Sequence, residues 1–160
     1  MAAEPLSDQI ISKMDEVAEL YHRLILVVAP SGGGKTRALQ EVAKCTSLPY
    51  VNLNLELSRR LLQLTERQRA IQMPRLLAEI VYVTDARAVL LDNTEILFET
   101  TLQQNPLALL QGVSRNKVVV AAWNGRLERG HLTYATPDHP EHRRYPARDL
   151  VIVSPQLAAE

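Results

Sequence analysis

The chain has little of several things. Its single cysteine, Cys45, excludes an internal disulfide and a cysteine-rich zinc site. One Phe, one Trp and five Tyr leave the interior to aliphatic side chains. Neither sign of charge dominates, since 18 Lys and Arg balance 18 Asp and Glu. That balance removes the positive excess of a broad, non-specific nucleic-acid surface, although local basic patches stay open. No apolar run approaches the roughly 18 residues that a membrane-spanning helix needs. The N-terminal "MAAEPLSDQI" is acidic and polar, so no secretory leader is expected. No internal repeat or low-complexity tract interrupts the chain. What remains is 160 residues, 46% hydrophobic, of a size for one globular domain and expected in the cytoplasm.

What is present is ordered along the chain. Ile10, Ile11, Met14, Val17, Leu20 and Tyr21 recur at helical spacing behind Ser7, a residue suited to capping. They predict a helix over Ser7–His22, with residues 1–23 packed on a core of 24–160. The continuous apolar run "LILVV" (24–28) predicts a strand covered on both faces. A helix is expected over Thr36–Cys45 and a short strand over "PYVNL" (49–53). Two further helices are expected over Glu56–Leu64 and Pro74–Ala86, the latter with Pro74 at its first position, where a missing N–H has no helical partner anyway. "AVLLD" (88–92) predicts a buried strand, and Asn105-Pro106 opens a helix to about Val113. "KVVVAAW" (117–123) and "DLVIV" (149–153) complete five strands. Between them Gly125–Arg148 reads as a long connection rich in Pro, His and Arg, and loops of that length are often functional.

Strands alternating with helices predict an α/β fold of three layers around a parallel five-stranded sheet. Ligands of such sheets bind at the carboxyl ends of the strands. The turns after Val28, Leu91 and Ala122 therefore fall on one edge.

The first of these turns is "APSGGGKT" (29–36), a Walker A pattern with Ala29 in the first glycine position. Three glycines in a row let the backbone turn its N–H groups inward around an anion, and the following helix points its positive end at the same place. Lys35 is placed to reach the β- and γ-phosphates and the Thr36 hydroxyl to ligate Mg²⁺. Ala29, Pro30, Ser31, Gly32, Gly33, Gly34, Lys35, Thr36 and Arg37 are the candidate ATP-binding residues, and a P-loop NTPase core is expected. A glycine-rich turn without a ligand would not explain Lys35 and Thr36 directly after the last glycine. Asp92, at the end of its buried strand, is the second candidate Mg²⁺ ligand, against the plainer role of a helix cap. Asn124 ends the next strand, as a polar residue near the γ-phosphate or as ordinary Asn-Gly turn chemistry.

The arginine-dense stretch 56–70 reads as a solvated helix face with Leu57, Leu61, Leu62 and Leu64 inward, or less simply as a docking surface. His131, His139 and His142 lack the company of a metal site and read as surface residues.

The order of motifs, with one strand between the Walker A and Walker B strands, resembles the AAA+ and signal-transducing (STAND) ATPases. Those families usually place an acid directly after the Walker B aspartate to polarise the attacking water. Here that position is Asn93, whose amide orients water but accepts no proton. Glu95 is the nearest carboxylate. The same resemblance implies a sensor role for Asn124 and an arginine finger, offered to a neighbouring subunit's nucleotide, for Arg143 or Arg144. No helical lid of AAA+ type is expected after the fifth strand.

The segments "PYVNLNLELSRRLL", "LTERQRA", "MPRLLAEIV", "VLLDNTEILF", "PLALLQG", "VVVAAWNG" and "LTYATPDHPEHRRY" resemble the BrxF family of small P-loop proteins from type 3 bacteriophage-exclusion (BREX) systems. The similarity runs from about Leu24 to Val153. It implies a cytoplasmic bacterial antiviral defence protein acting with other BREX components, and it carries over Lys35, Thr36 and Asp92. The expected function is an ATP-binding, weak or partner-stimulated ATPase, working as a homo-oligomer if an arginine acts in trans. Its alternatives are a nucleotide-dependent adaptor without turnover and, third, a small-molecule kinase. DNA is a conceivable partner that the net charge does not indicate.

Overall fold

The computed structural model describes residues 5–155. Met1–Glu4 and the last five residues, to which the expectations of no leader and no lid extend, lie outside the described residues.

Six consecutive apolar residues make β1 (Leu24–Ala29), buried at every position. Their alternation sorts the two faces. Leu24, Leu26 and Val28 join one cluster and Ile25 and Val27 the other. On the second face lie α1 (Leu6–Val17) and α2 (Lys35–Thr46), through Ile10, Met14, Leu39 and Val42. On the first lie α3 (Leu53–Leu61), α4 (Glu66–Val81) and α5 (Pro106–Val113). The remaining parallel strands are β2 (Tyr50–Asn52), β3 (Ala88–Asp92), the first part of β4 (Val118–Glu128) and β7 (Val151–Val153). Their order is β2-β3-β4-β1-β7. Every pairing along that path is parallel, so the expected five-stranded, three-layer arrangement is present.

Several boundaries differ from the sequence reading, each for a local reason. α1 starts one residue before Ser7, whose side chain caps nothing, and stops at Val17. The arginine-dense stretch is two helices, because Thr65 and Gln68 form a reciprocal capping box that starts α4 there. Leu62 falls at the break and is 74% exposed rather than buried. Pro74 lies inside α4, not at its start. A proline there leaves the carbonyl four residues back without its donor. The Gln104 side chain supplies one, its Nε2 lying 2.7 Å from the Ala70 carbonyl. At the other end of α4, the buried Lys117 ammonium donates to the Val81 and Thr84 carbonyls.

The largest correction concerns Gly125–Arg148. It is no loop. β4 runs on to Glu128 and pairs antiparallel with β5 (His131–Tyr134), which pairs with β6 (Arg143–Pro146). Asn124-Gly125 is extended strand inside β4, so the turn reading of that dipeptide fails. Gly125 is required because a Cβ there would sit 1.8 Å from the Thr133 carbonyl oxygen. The few aromatic residues concentrate at this join. Phe98 stacks on Tyr134 with ring centroids 3.5 Å apart, and Trp123 meets Phe98 and Tyr145 edge-on at 5.0 and 5.9 Å. An aliphatic core was expected, yet aromatic rings fasten the hairpin to it. Among the described residues no helix is long and apolar enough to cross a membrane.

Candidate functional site

Neighbouring strand ends set the site. Ala29 is in register with Asn124, and Asn52 with Asp92. Beyond Ala29 the chain turns through Gly32 (φ +80°) and Gly34 (φ +91°), conformations that glycine adopts without strain. A Cβ added at either of these two would meet nothing within 4 Å, because both face open space. Gly33 lies underneath, where a Cβ would come within 2.8 Å of Ala29 and the Pro30 carbonyl. Its N–H donates to that same carbonyl. Gly34 then starts α2, whose first residue is Lys35.

Lys35 is buried, and its ammonium donates to the Ala29 and Pro30 carbonyls, each at 2.9 Å. Burial pulls its pKa below the usual lysine value, while the negative charges of Glu95 and Asp92 push it back up. A cleft of about 430 Å³ lies before it. The cleft is lined by Ser31, Gly32, Gly34, Lys35, Thr36 and Arg37 from the loop, and by Asp92, Asn93, Glu95 and Asn124 from the ends of β3 and β4. The loop and the acidic strand end are thus brought together. Ala29, Pro30 and Gly33 do not line this cleft; the Ala29 and Pro30 carbonyls hold the Lys35 ammonium, and Pro30 lines the adjoining cavity.

The Asp92 carboxylate is held at both oxygens, by the Tyr50 hydroxyl at 2.6 Å and by the Asn93 N–H at 2.9 Å. Burial, then the hydrogen bond to Asp92, pushes the Tyr50 phenol up to about 12. Asn93 has φ +55°, a conformation that Asn tolerates better than most residues, and it opens a 3₁₀ turn over Thr94–Phe98. Thr94 is buried and donates to the Ala122 carbonyl. That anchor turns Glu95 into the cleft, where its Oε1 accepts from the Asn124 amide at 2.5 Å.

Neither Arg143 nor Arg144 lines this cleft. Arg143 donates to the His142 carbonyl, and the Arg144 guanidinium lies 3.2 Å from His131 Nδ1. Arg144 instead lines an adjoining cavity. Tyr50 and Gln40 were missed by sequence reasoning. Gln40 sits one helical turn beyond Thr36 and lines the cleft, a spacing that offered a signal. Tyr50 precedes Asp92 by 42 positions, and only the β2–β3 pairing joins them.

The arrangement fits a triphosphate with Mg²⁺. The open backbone at Gly32 and Gly34, the α2 N-terminus and a buried ammonium form a cradle for phosphate anions. The exposed Thr36 hydroxyl and the Asp92 carboxylate offer hard oxygen ligands of the kind Mg²⁺ takes.

No family model and no curated protein matches the chain. Among solved structures it is similar to the C. elegans AAA+ ATPase PCH-2, with a TM-score of 0.53 and 17% identity. The match covers 96% of this chain and 44% of that one, so the chain spans less than half of its neighbour's length. At this identity the likeness shows the fold: mixed α/β, with a parallel five-stranded core resembling that of an AAA+ ATPase.

Proposed function

We propose that the chain binds ATP with Mg²⁺ at Ala29–Arg37 and hydrolyses it slowly, or faster when a partner engages it. One observation carries the reading. The buried Lys35 ammonium, the glycine-rich backbone, Asp92 and Glu95 all face a single cleft. Bound Mg²⁺, held by Thr36 and Asp92, would neutralise phosphate charge.

The side chains then have distinct parts. Lys35 exchanges its backbone carbonyl partners for phosphate oxygens, at little desolvation cost because it is already buried. Tyr50 and the Asn93 N–H fix the Asp92 carboxylate. Glu95 is the proton acceptor for the attacking water, a task that Asn93 beside the aspartate has no basic group to perform. Its hydrogen bond to Asn124 must loosen for that role. The held state of Glu95 would keep turnover slow in the isolated chain and leave room for a partner to raise it. In a homo-oligomer the arginine finger would be Arg143, which is half-buried, or Arg144, which is exposed.

The same Glu95–Asn124 bond favours the adaptor reading, in which nucleotide is held without turnover. Phosphate release from Mg-ATP, measured per chain over a wide range of protein concentration, separates the two. A rate that climbs with concentration and disappears in Lys35→Ala supports the ATPase. Tight ATP binding with a flat, near-zero rate leaves the adaptor.

The defence role follows from the likeness of segments such as "VLLDNTEILF" to the BrxF family of BREX systems. Its test is phage plating on bacteria that carry the whole system with wild-type chain or Lys35→Ala. Restored plating on the variant supports the role, and equal protection by both sinks it.

A further inference from the structure

We infer that the phosphate loop and the β4–β5–β6 hairpin enclose a second binding site, for a small phosphate-bearing ligand of nucleotide size. A cavity of about 520 Å³ lies between them, comparable in volume to the 430 Å³ cleft beside it. Arg126, Arg144 and His142 line it together with Thr133, Ser31 and Asn124; a ligand would take over the Thr133 hydroxyl from the Arg126 carbonyl and the Asn124 amide from Glu95. Two guanidinium groups among hydroxyl and amide donors form a set that recognises phosphate oxygens. One acid, Glu128, lines the cavity. It stands 3.9 Å from Arg126, with both side chains more than half exposed, so the pair is long and screened by water. Arg126 is therefore available to an anion.

The charge of the hairpin argues for a small ligand over a nucleic-acid strand. Residues 125–149 carry five arginines against four carboxylates. A strand would need a continuous basic track, whereas here two of the five arginines, Arg126 and Arg144, share one cavity and the other three lie outside its lining.

The two sites share a wall, since Ser31 and Asn124 line both. A ligand that draws the Asn124 amide toward the hairpin competes with Glu95 for the same N–H donors. Occupancy of the second site would then free Glu95, a consequence that rests on the ATPase reading, whereas the site itself does not.

Inorganic pyrophosphate is the probe, titrated calorimetrically into the whole chain alongside tryptophan fluorescence. Trp123 is the sole tryptophan and its indole N–H donates to the carbonyl of Thr133, a lining residue. Wild type is expected to bind at two sites, Lys35→Ala to keep the hairpin site with its fluorescence response, and Arg126→Gln/Arg144→Gln to lose it. Should the double variant fail to fold, Arg126→Gln alone, at a side chain 63% exposed, must weaken the hairpin site at least tenfold. Loss of all binding in Lys35→Ala, or two intact sites in the arginine variant, overturns the proposal. Tighter, arginine-dependent binding of a short single-stranded DNA overturns the small-ligand assignment. If Lys35→Ala changes nothing while the arginine variant loses its site, the hairpin site stands and the phosphate-loop reading fails.

Discussion

β1 and β4 are parallel neighbours, equally buried up to the level where Ala29 faces Asn124. Beyond that level they part. β1 gives way to a glycine turn that feeds α2, and β4 continues to Glu128 as one arm of a hairpin. Both cavities open where the chains diverge, Ser31 of the turn and Asn124 of β4 lining each of them. On the β1 side the recognition groups are backbone N–H groups and one buried ammonium, fixed by the turn itself. On the β4 side they are side chains carried on extended strands, exposed and exchangeable. The difference teaches that a strand end makes a site by how it stops. A sharp stop commits the backbone to one ligand chemistry, while a strand that runs on leaves the choice to its side chains.

The largest expected effect falls where the two sides meet. Glu95→Gln should keep ATP binding and lower phosphate release by about 10²–10⁴-fold, the usual contribution of a general base. Unchanged release would transfer the role of proton acceptor away from the β3 turn and break the division of labour. Next in size is Gly125→Ala, whose Cβ would meet backbone of β5. Overpacking of this kind costs about 1–3 kcal/mol. Denaturant unfolding should show the loss, while ATP binding at the loop persists. If binding is lost as well, the two sides are one unit and the contrast drawn above is false. Comparable or smaller is Tyr50→Phe, which removes a hydroxyl donor from the buried Asp92 carboxylate, Tyr50 itself being partly exposed. A loss of about 1.5 kcal/mol is expected, the low end for a bond to a charged group because Tyr50 is partly exposed, together with a higher Mg²⁺ requirement for turnover. An unaltered Mg²⁺ titration would make Tyr50 merely structural.

The β1 side was legible in the sequence because its signals are contiguous. Gly32, Gly33, Gly34, Lys35 and Thr36 stand in a row, and the apolar run before them has the length of a buried strand, which it forms. Asp92 was legible for the same reason. The hairpin was not. "HLTY" and "RRYP" are short and rich in polar residues, and what makes them strands is contact with Phe98 and Trp123. Pro74 misled because the usual rule places it at a helix start, and the Gln104 amide that offsets its missing donor comes from a distant segment. The bond from Asn124 to Glu95 spans 29 positions and follows from strand register, which no local pattern encodes.

The last effect lies in alkali and weighs the two sides against each other. Burial, aided by the charges of Glu141 and Glu95, pushes the Tyr134 phenol of the hairpin up to about 12, and Tyr50 beside β3 reaches the same value. An unfolded tyrosine loses its proton near pH 10. Between about 10 and 12 the native chain therefore retains protons that the unfolded chain has released, and its stability falls as pH rises. Below pH 10 the contribution is fully present and the curve is flat. Denaturation midpoints followed through this window should decline in wild type. The decline should be shallower in Tyr134→Phe, because Tyr134 is 8% exposed and stacked on Phe98, while the more open Tyr50 is partly screened by water. Equal slopes in wild type and Tyr134→Phe would mean that the ring is no more withdrawn from water than Tyr50, and that the hairpin is not fastened to the core by its aromatic residues.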